Sequence, residues 1–333
     1  MAKQLDALDG VAPLIRTPTD ADAVSTGDII EAVPGHETLR VLYRRGDVGN
    51  VLFATERCNS YCLMCSQPPR DVGDEWRVQQ NLDLLDLIDP EEPSLGITGG
   101  EPTLLGEGLG TLINGCAEKL PHTDLQILTN GRGFAKPEWV ERLRGIHHPK
   151  LQWNVPLYAD VAPVHDYVVQ ARGAFVETLA GLHALGRAGM NIEIRVVLHK
   201  PTIPRLAGLA HFIYRNLSFV RHVALMGIEP IGFALANREA LWIDPLDYRQ
   251  ELVEAVRYLD DRGMRTSIYN LPLCVLDQSL HRHAAKSIST WKNVYLPECL
   301  RCKAQSRCGG FFASHKKEWA SRGINPITIT TGD

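Results

Sequence analysis

From about residue 50 to about residue 225, short apolar runs alternate with segments of helical period, and this rhythm limits the fold more than any other feature of the chain. Residues 51–55, 94–98, 125–129, 151–157, 192–198 and 222–226 read as strands. Residues 109–120, 175–187, 211–216 and 248–262 read as amphipathic helices, with apolar side chains recurring every three or four positions. Alternation of this kind predicts a parallel sheet with right-handed crossovers. The six units fit a partial (β/α)6 barrel open on one side, and a doubly wound open sheet is the rival geometry. Either way, ligands gather at the C-terminal ends of the strands.

The 333 residues are enough for one large α/β domain and a smaller appended module. A net charge of -4 argues against a general nucleic-acid binder, whose footprint is basic. No apolar run reaches the length of a membrane span, and no basic-apolar-small signal pattern opens the chain. The expectation is a cytoplasmic protein without a membrane or nucleic-acid partner. Eight cysteines in such a setting point to metal binding or catalysis, not to a disulfide framework.

Cys58, Cys62 and Cys65 follow the first strand with the spacing Cys-x3-Cys-x2-Cys. Three thiolates can hold three irons of a cubane and leave the fourth iron open to a small molecule. Gly99, Gly100, Glu101 and Pro102 follow the second strand, and Asn130-Gly131 follows the third, so the motifs converge on one rim. A structural zinc site is the alternative for the three cysteines, although zinc motifs favour Cys-x2-Cys pairs. The cysteine spacing followed by Gly-Gly-Glu-Pro resembles the radical S-adenosylmethionine (SAM) enzymes.

That resemblance implies a 4Fe-4S cluster on Cys58, Cys62 and Cys65, whose open iron is chelated by the methionine end of SAM. It further implies that Gly99 and Gly100 admit close backbone approach to SAM, that Glu101 accepts from its ammonium, and that Pro102 ends the strand ladder. The position before the last cysteine is usually aromatic in the family and is Met64 here, with Tyr61 as a possible substitute for the adenine contact. Asn130, Asn154, Arg195 and Glu229 are further candidates for cofactor contacts, Arg195 having Glu193 as its alternative partner. His165-Asp166 and His199-Lys200 are polar pairs near the rim without an assigned role.

Cys299, Cys302 and Cys308, with Cys274 upstream, resemble a shortened form of the SPASM cluster domain called Twitch. Its last expected cysteine would fall at Phe312. Four cysteines suffice for one closed auxiliary 4Fe-4S cluster, and a four-cysteine zinc ribbon is the alternative. Cys116 reads as a small apolar residue on a helix face.

The expected divisions are an N-terminal extension or cap at 1–48, the partial barrel at 49–265, the cluster module at 266–315 and a tail at 316–333. Several stretches, among them Cys62–Pro69, Arg195–Thr202, Met226–Pro230 and Ser287–Asn293, resemble more narrowly the C component of the His-Xaa-Ser system radical SAM maturases. This narrower likeness implies a small substrate peptide with His-Xaa-Ser repeats, a paired radical SAM protein, and a flavodoxin- or ferredoxin-type electron donor. A small metabolite or an RNA base is the alternative substrate, and a non-catalytic zinc protein the alternative function.

Overall fold

The computed structural model describes residues 3–4, 14–15, 24–32, 39–287 and 292–328. Part of the 1–48 extension, part of the 287–293 stretch and the end of the tail therefore lie outside the described residues. Eight parallel strands form one sheet: β1 (Val51–Phe53), β2 (Ser94–Thr98), β3 (Asp124–Leu128), β4 (Leu151–Pro156), β5 (Asn191–Leu198), β6 (His222–Gly227), β7 (Thr266–Tyr269) and β8 (Ala284–Ala285). Their spatial order is their chain order, with no reversal. A doubly wound sheet reverses direction at a switch point, so the consecutive order selects the open barrel.

Two more strands join the sheet than the six expected. They have four and two residues, too short for a legible alternation, and they carry the sheet into the stretch assigned to the cluster module. Before the sheet, Ile29–Ala32 and Leu39–Tyr43 pair antiparallel.

The outer face is apolar. Helices α2 (Glu107–Lys119), α5 (Ala174–Arg187), α6 (Leu206–Asn216) and α9 (Arg249–Asp260) each bury one stripe against it, for example Leu109, Leu112, Ile113 and Cys116 on α2. Cys116 is fully buried in that stripe. Burying such side chains contributes about 1.5–3 kcal/mol apiece, which is what holds helices to sheet.

The inner face is polar where the strands alternate. Asn154 Nδ2 donates to Gln126 Oε1 (3.2 Å) and Gln152 Nε2 to Asn154 Oδ1 (2.9 Å). Arg195 Nε lies 2.6 Å from Glu193 Oε1, and His222 bridges Glu193 Oε2 (2.7 Å) and Ser267 Oγ (2.9 Å). Burial pushes the Glu193 carboxyl up, but His222 and Arg195 outweigh it and hold the group below the usual carboxylate range.

Above this layer, Tyr158 lies between two buried histidines, His165 and His199, each with ring centroid 5.7 Å away. His165 Nδ1 accepts from Tyr158 N and His199 Nδ1 from Thr202 N, both at 3.3 Å, so each ring is held as an acceptor. Burial lowers both groups to about 4 from an ordinary 6.5. Below pH 6.5 the unfolded chain takes up protons that the folded chain refuses, so stability present at neutral pH is lost as pH falls from 6.5 towards 4. The expected loss is roughly 3 kcal/mol per histidine at the acid end. Urea midpoints of the metal-free protein measured from pH 7 to pH 4.5 check this, and His199→Asn should flatten the slope.

Candidate active site

The loop after β1 is shaped by residues far along the chain. Thr55 Oγ1 donates to Asp74 (3.0 Å), Glu56 N to the same carboxylate (2.5 Å), and Arg57 Nε approaches it at 3.2 Å. Further on, Tyr61 N and Leu63 N donate to the carbonyls of Val169 (3.0 Å) and Val168 (2.9 Å), at the end of α4 (Ala162–Val169). Arg132 donates to Asn59 O and to Ser60 Oγ (2.9 Å), and is itself held by Glu177 (2.6 Å). Asn237 Nδ2 donates to Leu63 O and Phe233 N to Cys65 O, both at 2.9 Å.

This clamp turns Cys58, Cys62 and Cys65 into one cleft at the C-terminal ends of the strands, open to solvent and of about 1340 Å³. Its wall also contains Met64, Gly99, Gly100, Asn130, Asn154, Arg195 and Glu229, so most of the sequence-predicted contacts share one cavity. Arg195 lines the cleft and pairs with Glu193, the alternative partner expected for it.

Three predicted residues stand elsewhere. Tyr61 is 55% exposed and does not line the cleft, whereas Met64 does. Pro102 is buried and starts the short 3-10 turn Pro102–Leu105. Glu101 is fully buried beneath the cleft: its Oε1 accepts from Thr103 N (2.9 Å), Thr103 Oγ1 (2.7 Å) and Thr129 Oγ1 (2.6 Å), and its Oε2 from Asn130 N (2.6 Å). The acceptor expected for an ammonium is thus already engaged, tying the β2 turn to the end of β3.

The glycines have a reason nearer than a ligand. Gly100 N donates to Thr55 O (2.7 Å) and Glu101 N to Arg57 O (2.8 Å), so this strip runs alongside the entry to the cysteine loop. A Cβ at Gly99 would collide with the Thr55 carbonyl oxygen and one at Gly100 with that of Arg57.

The thiols fit a metal cluster by their chemistry. Burial, with repulsion from neighbouring acidic groups, pushes Cys58 up to about 11 and Cys62 up to about 12, and burial raises Cys65 as well. Three half-buried thiols of this kind become thiolates only against a compensating cation, which a cluster's iron supplies. Among the described residues, no group of three or more His, Cys, Asp or Glu side chains is drawn together to hold a metal ion.

A second, small cavity is lined by Cys274, Cys299, Cys302 and Cys308. Backbone amides already point at its sulfurs: Leu273 N and Gly310 N donate to Cys308 Sγ (3.3 and 3.4 Å), and Ile327 N to Cys302 Sγ (3.4 Å). Ile324, Asn325, Pro326 and Ile327 line the same cavity, so the stretch taken as a plain tail is one of its walls.

Of the remaining polar pairs, Asp166 accepts from Gly173 N (2.6 Å) and Phe175 N (2.8 Å) at the start of α5, and Lys200 donates to Glu239 O (2.8 Å). The sequence reading missed Tyr158, Asn270, Lys292 and Phe312 as cleft residues. No spacing motif joins these four. Among the described residues, no helix is long and apolar enough to cross a membrane.

Residues 52–213 match the family model described as the radical SAM superfamily. The chain is similar to a GTP 3',8-cyclase of Rhodococcus opacus, 29% identical over 186 residues that cover 53% of this chain and 50% of that protein. It is similar also to a GTP 3',8-cyclase 2 of Mycobacterium bovis, 30% identical over 158 residues that cover 44% and 41%. The chain thus spans about half the length of these curated relatives or less. Streptococcus suis SuiB matches in structure with a TM-score of 0.49 and 18% identity, over 66% of this chain and 48% of that one.

Proposed function

Residues 52–213 belong to the radical SAM superfamily, and from that premise we propose that the chain cleaves SAM reductively and uses the radical to take hydrogen from a ribosomally made peptide. The observation that carries this reading is the convergence of Cys58, Cys62, Cys65 and the Gly99–Gly100 edge on one cleft. A 4Fe-4S cluster held by Cys58, Cys62 and Cys65 would supply the electron for reductive cleavage of SAM.

The chain's own residues do the rest. Cys58, Cys62 and Cys65 would hold three irons, and the clamp formed by Arg132, α4 and Asn237 fixes where they stand. Asn130, Asn154 and Arg195 give the nearby wall its polar groups, suited to the amino-acid end of SAM. Met64 offers a thioether face to an adenine ring. Pro156, Tyr158 and Val197 add apolar surface to the same wall.

Peptide and nucleotide substrates are separated by charge. Among the described residues, the cations on the cleft wall each face a carboxylate, Arg195 with Glu193 at 2.6 Å and Lys292 with Glu229 at 3.9 Å. A triphosphate calls for cations not already opposed by carboxylates, whereas a peptide does not. The likeness to GTP 3',8-cyclases favours a nucleotide as the second reading.

For the second cavity, the reading is an auxiliary 4Fe-4S cluster on Cys274, Cys299, Cys302 and Cys308. Its amide-to-sulfur hydrogen bonds suit thiolates around a cluster. The proposed partners are a His-Xaa-Ser repeat peptide, a paired radical SAM protein and a flavodoxin- or ferredoxin-type donor.

The test is anaerobic reconstitution followed by incubation with SAM, dithionite and either a synthetic His-Xaa-Ser repeat peptide or GTP. The expected result is 5'-deoxyadenosine together with a mass change on the peptide, with GTP recovered intact. Turnover of GTP with the peptide unaltered would establish the second reading instead.

A further inference from the structure

The end of the cleft formed by β6 and β7 carries buried polar atoms that find no hydrogen-bond partner among the described residues. Glu229 Oε1 and Asn270 Oδ1 are buried, and neither has a hydrogen-bond partner among the described residues. Both residues line the cleft. A buried acceptor without a donor costs about 1–3 kcal/mol, and native proteins retain few of them. Two on one cleft wall mark a place built for a group that donates.

The backbone fixes where they stand. Met226 pairs with Tyr269 in the β6–β7 register, so the chain segments beyond them leave the sheet side by side. Asn270 has φ 62°, a left-handed conformation that asparagine tolerates better than most residues. A Cβ at Gly227 would collide with the Asn270 carbonyl oxygen, so the two segments are in close contact. Lys292 Nζ stands 3.9 Å from Glu229 Oε2, and Phe312 adds an apolar face. Burial raises the Glu229 carboxyl, with Lys292 and the nearby Ser314 hydroxyl opposing, and burial lowers the Lys292 ammonium.

We propose that Glu229 and Asn270 are substrate-recognition residues that bind the backbone of an extended peptide. The carboxamide of Asn270 presents an acceptor beside a donor, and one residue of an extended strand presents its N–H and C=O to the same side, so the two pair at two points. Glu229 Oε1 takes a second N–H, and Lys292 keeps the wall near neutral. Phe312 and Lys292 belong to the same C-terminal region as the four cysteines of the second cavity, so that region completes the substrate end of the cleft. A triphosphate would bring its negative charge against the Glu229 carboxylate. The assignment rests on the peptide reading above, and the test separates failure of one from failure of the other.

The experiment uses anaerobically reconstituted protein with SAM bound and a fluorescein-labelled synthetic peptide of three His-Xaa-Ser repeats, read by anisotropy. Asn270→Gly removes the carboxamide without straining the left-handed backbone, and Glu229→Gln keeps the side chain's size while removing one carboxylate oxygen. Each variant should weaken the peptide about tenfold, the size of one buried hydrogen bond, while SAM affinity moves less than twofold. Unchanged peptide affinity in both variants would overturn the assignment. So would a tenfold loss of SAM affinity with the peptide unaffected, since these residues would then serve the cofactor. Wild-type protein that binds labelled GTP and not the peptide would overturn the peptide reading itself, and the assignment with it.

Discussion

Replacing Cys58, Cys62 and Cys65 together by alanine abolishes formation of 5'-deoxyadenosine from SAM. Among the described residues, the other sulfurs on this wall are the Met64 and Met226 thioethers, weak ligands, and Glu101 beneath it has four hydrogen bonds of its own. The fold should survive the change. The cysteines sit on a surface loop, intermediate in exposure, and the bonds that shape it come from backbone groups and from Asn59, Ser60, Arg132 and Asn237. The expected outcome is wild-type helix content by circular dichroism, iron reduced to that of the second site, and no nucleoside product by chromatography. Retained cleavage would remove the site assignment.

Cys302→Ala acts on the other cavity. Among the cleft-lining residues there are no cysteines from the second set, and none of the first three lines the second cavity. Iron should therefore fall by about half, from about eight atoms per chain to about four, with SAM cleavage reduced but present. The substitution also removes the acceptor of the Ile327 amide, so the strap from Ile324 to Ile327 should loosen and become open to proteolysis. Loss of all iron would show instead that the two sites load together. Zinc in place of iron at this cavity would identify a ribbon, not a cluster.

Much of the barrel was legible because long parallel strands buried on one face announce themselves. Ser94–Thr98 lies where the apolar run predicts it, and the other five expected strands shift by a residue or two at their ends. Helix α1 (Trp76–Leu85) was not legible: it buries only Asn81, Leu84 and Leu85, too few for a stripe. Helices α3 (Pro137–Arg144) and α4 are eight residues each and begin at or next to a proline, which reads as a turn until the packing is known.

At the site, the motif cysteines and glycines were legible because a fixed spacing carries their chemistry. Asn270 was not, since its left-handed backbone and unpaired oxygen are properties of tertiary packing. Lys292 and Phe312 reach the cleft from more than 200 residues beyond the cysteine loop, and no local pattern foretells that return. Glu101 shows the converse. The motif names it correctly as special, yet the structure gives it an internal role that the motif alone does not reveal.

The clamp on the cysteine loop also dictates an order of assembly. Its donors and acceptors come from Arg132, Val168, Val169, Phe233 and Asn237, most of which are translated a hundred residues or more after Cys65. The nascent loop consequently lacks most of these partners until synthesis has passed the sixth strand.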